Sequence, residues 1–192
     1  MFRRTGGLLP LLAAAVLIGL LATAPSAPAA RVTEHCTGNQ YSAGDEQWLM
    51  TSIQGDRFEI TGGKTAQGKA QSTVVRDLGA RLVKDHTKTL SDAEKLARQL
   101  GISVPGSPTP AQQWQLRVVG SFQGTAFDQW YSDLEVRDHQ QDITETKDEV
   151  QNGCNAKVRQ DARNDVPILR THLSLAEKAQ SQVGKPPAAR RR

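Results

Sequence analysis

Apolar residues recur along this chain at spacings of three and four, the period of an α-helix with one buried face. The first such stretch runs from about Asp45 to Ala70. Ser42 and Asp45 have the spacing that caps a helix start, and Gly62-Gly63 weakens the middle. A second stretch starts after Ser72 and places Val75, Leu78, Leu82, His86, Leu90, Ala93 and Ala97 on one stripe, with Gly101 as its stop. A loop rich in Pro, Gly and Ser follows. Thr109-Pro110-Ala111-Gln112 is a capping box with proline at the first helical position, so a short helix is expected over Gln112–Val119. Thr125 and Asp128 open a third long helix that ends near Gln151 before Asn152-Gly153. The last helix runs from about Asn155 to Gln180 with Pro167 inside it as a kink. No strand alternation competes with this reading.

Four long helices of about 25–30 residues, each roughly 40 Å long, make an all-α four-helix bundle. Its topology depends on the two cysteines. Cys36 precedes the first helix, and Cys154 lies between the last two. A bridge requires Cα atoms within about 7 Å. In a simple up-down-up-down bundle these points lie at opposite ends, beyond the reach of roughly 27 Å that the short lead provides. A long crossover between helices two and three brings them to the same end, and residues 101–123 are long enough to be that crossover. A Cys36–Cys154 disulfide therefore selects a ferritin-like bundle whose long crossover carries a short extra helix.

The N-terminus predicts the compartment. Arg3 and Arg4 precede an apolar run from Leu8 to Ala22, and Ala27-Pro28-Ala29 is a small-residue cleavage site. Residues 1–29 thus read as a secretory signal peptide rather than a membrane anchor, which needs about 18 or more unbroken apolar residues. Residues 30–44 form a lead carrying Cys36, residues 45–180 the bundle, and residues 181–192 a disordered basic tail. Export places both cysteines in an oxidising compartment, where an even count favours a disulfide. The formal charge of +4 comes from the ends. Without Arg3, Arg4, Lys185 and Arg190 to Arg192, the body is near −2, which argues against a nucleic-acid partner. The tail is suited to weak contact with the envelope or a membrane surface.

Val74-Val75-Arg76-Asp77-Leu78-Gly79 leading to Val83-Lys84-Asp85-His86 resembles the second-helix motif of domain-of-unknown-function family 4142, exported bacterial proteins with a ferritin-like fold. Phe127-Asp128 with Tyr131 and His139 resembles its next motif, and Val166-Pro167-Ile168-Leu169 with His172-Leu173 its last. Glu59-Ile60 and Gly62 match the first helix. The likeness covers residues 45–178. Leu78-Gly79 stands where a Phe-Ala pair is usual, and the two cysteines are not a general feature of the family. The resemblance implies a fold and an exported address, but no reaction.

His86, His139 and His172 each lie on an apolar stripe of a different helix, and Glu59 lies on the first. Counting residues from the helix ends puts all four at heights of roughly 18–26 Å, in one mid-bundle layer. Three imidazoles and a carboxylate suit Zn, Cu or Fe, with Asp85, Glu135 or Asp138 orienting a histidine from behind. The competing explanation is a set of core histidines satisfied by water or a carboxylate, Glu59 among them. A di-iron carboxylate centre needs Glu-x-x-His pairs, but Val83, Val136 and Leu169 occupy those positions. Trp48, Trp114 and Trp130 are expected in the core. The function that follows is first a structural or interaction protein of the cell envelope, and alternatively a metal-binding or redox protein using Glu59, His86, His139 and His172.

The export reading has a direct check. Intact-mass measurement of the protein recovered from an expressing bacterium should show a chain beginning at Ala30; retention of residues 1–29 would refute cleavage.

Overall fold

The computed structural model describes Cys36 and residues 40–187. The expected signal peptide, most of the lead and the last five residues of the tail lie outside the described residues. The described residues form five helices: α1 (Ala43–Lys69), α2 (Thr73–Leu100), α3 (Pro110–Ser121), α4 (Gly124–Asn152) and α5 (Ala156–Val183). None of the described helices is long and apolar enough to cross a membrane.

Most ends form as their residues dictate. Ser42 and Asp45 cap α1 reciprocally, as Thr109 and Gln112 cap α3. Gly101 ends α2 at φ 73°, a left-handed conformation that glycine adopts without steric cost. Asn155 caps α5 through the Lys157 and Val158 N–H groups. Three expectations need correction. α5 contains Pro167 as expected, at an exposed position, but runs to Val183, so the tail begins later than residue 181. Asp128 does not cap α4; it is buried and accepts from the backbone N–H groups of Gln71 (3.1 Å) and Ser72 (2.8 Å). Trp114 is 60% exposed, because α3 lies on the outside of the bundle with only one side against α1 and α4.

Two locks reveal the topology. At one end, Asp45 near the start of α1 accepts from the Cys154 and Asn155 N–H groups in the α4–α5 turn. At the other, Asp128 near the start of α4 holds the α1–α2 turn. α1 and α4 are therefore antiparallel, and the chain must travel the length of the bundle between α2 and α4. It does so through residues 101–123, which include α3. α1 packs along α2, α4 along α5, and α2 beside α5. The Cys36–Cys154 disulfide closes the Asp45 end, with Cα atoms 5.1 Å apart. This is the ferritin-like bundle with a long crossover.

The glycines that face each other near the α1–α2 turn have a purpose beyond weakening α1. A Cβ on Gly63 would stand 2.6 Å from the Gly79 carbonyl oxygen, and one on Gly79 would stand 2.7 Å from that of Gly63. The α1 and α2 backbones meet there at a distance that larger residues would prevent.

The apolar core falls into two clusters. One, around Trp48, Leu49, Ile53, Leu96, Ala97 and Val158, fills the disulfide end. The other, around Phe58, Leu78, Leu82, Phe127, Tyr131 and Leu134, fills the opposite end. Buried polar side chains lie between them.

Removing the bridge in a Cys36→Ser, Cys154→Ser variant should lower unfolding free energy by about 2–5 kcal/mol, read by denaturant titration, while helical circular dichroism is retained. The Asp45 lock makes stability depend on pH. Burial, together with the neighbouring Asp45 carboxylate, raises the Glu149 pKa to about 8. The folded state therefore keeps a proton that the unfolded chain has already released above the ordinary Glu value, and stability falls as pH rises from about 4.5 to 8. Burial alone would raise the Asp45 pKa, but hydrogen bonds from the Ser42 and Asn155 backbone lower it overall. Its contribution is present above the ordinary Asp range and is lost on further acidification. Thermal melts should accordingly show a loss of Tm between pH 5 and 8, and Glu149→Gln should make that loss smaller.

Candidate functional site

His86 from α2, His139 from α4 and His172 from α5 converge in the polar layer. Their ring centroids lie 4.9 Å (His86–His172), 5.3 Å (His139–His172) and 5.9 Å (His86–His139) apart. One ring nitrogen from each lies within 4.8 Å of the other two. His139 and His172 are fully buried and His86 is 4% exposed. Counting depth along the helices thus brings the three histidines together correctly.

Each ring is fixed from behind. His86 Nδ1 is 2.7 Å from Asp56 Oδ1, which also accepts from the Thr89 hydroxyl. His139 Nδ1 is 2.9 Å from the Glu135 carbonyl oxygen, and His172 Nε2 is 2.9 Å from Asp85 Oδ2. Carbonyl and carboxylate oxygens accept, so each of these nitrogens carries the proton. The opposite nitrogens, His86 Nε2, His139 Nε2 and His172 Nδ1, present lone pairs and have no hydrogen-bond partner.

The rings stay neutral. Burial lowers His86 to about 4; burial and the nearby His86 lower His139 to about 3 and His172 to about 4. Asp56 is raised to about 8, again by burial. A proton on its unpartnered Oδ2 leaves Oδ1 free to accept from both His86 and Thr89, so this contact is a neutral hydrogen bond rather than an ion pair at pH 7. Asp85 differs: burial would raise it, but His172 and Arg81 lower it overall.

Glu59 does not partner any histidine ring. Its carboxyl is 1% exposed and faces Glu135 and Asp138, and it forms a second potential donor group with Asp138 and His139. Burial first, then the neighbouring Glu135 and Asp138 carboxyls, raise the Glu59 pKa well above the usual range. Glu135 is raised to about 8 by burial, and Asp138 is raised for the same reason. Of the residues expected to orient a histidine, Asp85 does so by its side chain and Glu135 by its backbone carbonyl, whereas Asp138 belongs with Glu59. The single expected layer of Glu59 and three imidazoles is therefore two adjoining groups that share His139.

Asp56 was missing from the sequence-based set. Its signal was available: it lies three residues before Glu59 and shares the buried side of α1. Likewise, Tyr131, Glu135 and Asp138 follow one another at helical spacing down the inner side of α4.

Crossover, helix pairing and a polar layer at mid-height define a ferritin-like four-helix bundle. Residues 30–179 match the family described as domain of unknown function (DUF4142), and the chain belongs to that family. No functionally curated protein matches it. Among solved structures it is similar to a DUF305 fragment from Deinococcus radiodurans, with a TM-score of 0.66 and 13% identity over 74% of this chain and 99% of that one. It is also similar to a putative spore coat protein from Bacillus halodurans C-125, with a TM-score of 0.62 and 13% identity over 80% of this chain and 97% of that one. At these identities the likeness is one of fold.

Proposed function

We propose that this protein is an exported binder of a transition-metal ion, held by His86 Nε2, His139 Nε2 and His172 Nδ1. One observation carries the reading: one ring nitrogen of each histidine lies within 4.8 Å of those of the other two, and each ring keeps a buried nitrogen without a hydrogen-bond partner. Each such atom left unsatisfied costs about 1–3 kcal/mol. A water molecule can donate to only two of them, whereas one metal ion accepts all three. Carboxylate and carbonyl acceptors behind the rings orient imidazole ligands and fix their tautomers. Low pKa values keep the lone pairs available at neutral pH. Glu59 or Asp138, grouped with His139, completes the coordination. A donor set rich in imidazole suits Zn, Cu or Fe.

This geometry favours the metal reading over a purely structural or interaction role in the envelope, for which no comparable feature is present among the described residues. The signal-like N-terminus and the disulfide support an extracytoplasmic address.

Metal analysis of the mature protein, purified without chelator or affinity tag, should give close to one equivalent of a single transition metal. After stripping, titration with Co2+, Zn2+ or Cu2+ should restore one equivalent and raise the Tm. His139→Ala and His172→Ala should each abolish stoichiometric binding. Substoichiometric metal in the unaltered protein that no titration restores, with the substitutions affecting stability alone, would show that the histidines serve only the core.

A further inference from the structure

The three-histidine centre is buried, so an ion needs a way in. A cavity of about 50 Å3, room for one or two water-sized groups, reaches His86 from the disulfide half of the bundle. Four carboxyl side chains line it, Asp56, Asp142, Glu145 and Asp165, and no Lys or Arg does. Asp56 is the innermost of these in exposure: it is 4% exposed, and its Oδ2 has no partner. His86, also 4% exposed, carries the unpartnered Nε2 of the centre. Acidic groups on the outside (Asp142, Glu145 and Asp165, partly exposed) are therefore continuous with an unpartnered acid and an unpartnered imidazole within. Burial first, then the neighbouring Asp161, Asp56 and Asp92, raises Asp165 to about 8 against the opposing Lys88, and burial with Asp138 and Glu145 raises Asp142, so these acids give up their protons only in alkaline solution or to an incoming cation.

We propose that this cavity is the entry port for a divalent cation, shedding its water on the way to the three-histidine centre, with the acidic mouth around Asp142 and Asp165 drawing it in and Asp56 passing it to His86. Clefts walled by charge of one sign raise the local concentration of the opposite ion, and steering of this kind speeds association 10- to 1,000-fold in a salt-dependent way. The carboxyls of the port do not form a coordination cage of their own, since the only groups of three or more closely spaced donors among the described residues are the two at the centre. They attract the ion without holding it. Gly55 on α1 keeps the passage open: it lines the cavity, and a Cβ built there meets nothing within 4 Å.

The port rests on the metal reading above, and its test separates the two. Metal-free protein, with its disulfide intact, is mixed with Co2+ in a stopped-flow instrument and followed by the visible absorption of the bound ion. At about pH 8.5 and about 10 mM salt, an Asp142→Asn, Asp165→Asn variant should load at least tenfold more slowly than the unaltered protein, and the gap should narrow at lower pH, where these acids hold their protons, and close at high salt. Its final spectrum and stoichiometry should be unchanged. Gly55→Leu, which fills the cavity without altering charge, should slow loading at every salt concentration. Loading of both variants at the unaltered rate would overturn the port and leave the metal site standing. Loss of Co2+ stoichiometry in the Asp142→Asn, Asp165→Asn variant would make these residues ligands and overturn the port in another way. If the unaltered protein takes up no Co2+, the port falls together with Co2+ binding at the centre.

Discussion

The interior of this bundle is interrupted at half its height, and most other features follow from how the helices stay together across that gap. Hydrophobic burial drives association at the two ends, where separate apolar clusters form. Between them, four helices contribute Asp56, Glu59, His86, Thr89, Glu135, His139 and His172, all buried. Such a layer supplies little net attraction, because each polar group must first give up water. Fixed points elsewhere hold the geometry. Asp45 and the disulfide fasten one end, Asp128 fastens the other, and the Gly63–Gly79 contact joins α1 to α2 close to the Asp128 end. With the helices fixed, ring nitrogens without partners persist instead of collapsing onto one another.

The electrostatics divide along the same line. Burial lowers the imidazole pKa values in the layer and raises those of Asp56, Glu59, Glu135 and Asp138. No Lys or Arg is buried there to compensate the acids. Both shifts disfavour charge in the layer, and Asp85, reached by Arg81 at its edge, is shifted the other way. Ferritin-like shape alone would not lead to this arrangement. The Glu-x-x-His pairs of di-iron bundles are missing, and the acids that approach His139 and His172 come from Glu135 by its backbone and from Asp85 on another helix.

Much of this was legible in the residues. Helical periodicity and capping pairs located all five helices, and counting residues along them put the three histidines at one height. The disulfide decided between two topologies because covalent geometry is unforgiving. What periodicity cannot resolve is rotation about a helix axis in the folded bundle. Glu59 has the right height but turns toward α4, where it meets Glu135 and Asp138 and, of the three imidazoles, His139 alone. Asp128 has the spacing of a cap, yet the α1–α2 turn lies beside it in space and takes its carboxylate. Trp114 looks like core by type, but a crossover helix covered on only one side leaves it in solvent. Each departure depends on a neighbour that is distant in sequence.

The Cys36–Cys154 bridge makes a covalent ring of the chain between positions separated by 118 residues. His86 and His139 lie within that ring, whereas His172 lies on α5 beyond its closure. The bond limits how far the start of α1 can part from the α4–α5 turn, and it places no covalent restraint on the far end of α5. The centre is thus assembled from two histidines inside a closed loop and one on the open stretch of the chain, and only packing and hydrogen bonds bring that third ring to the other two.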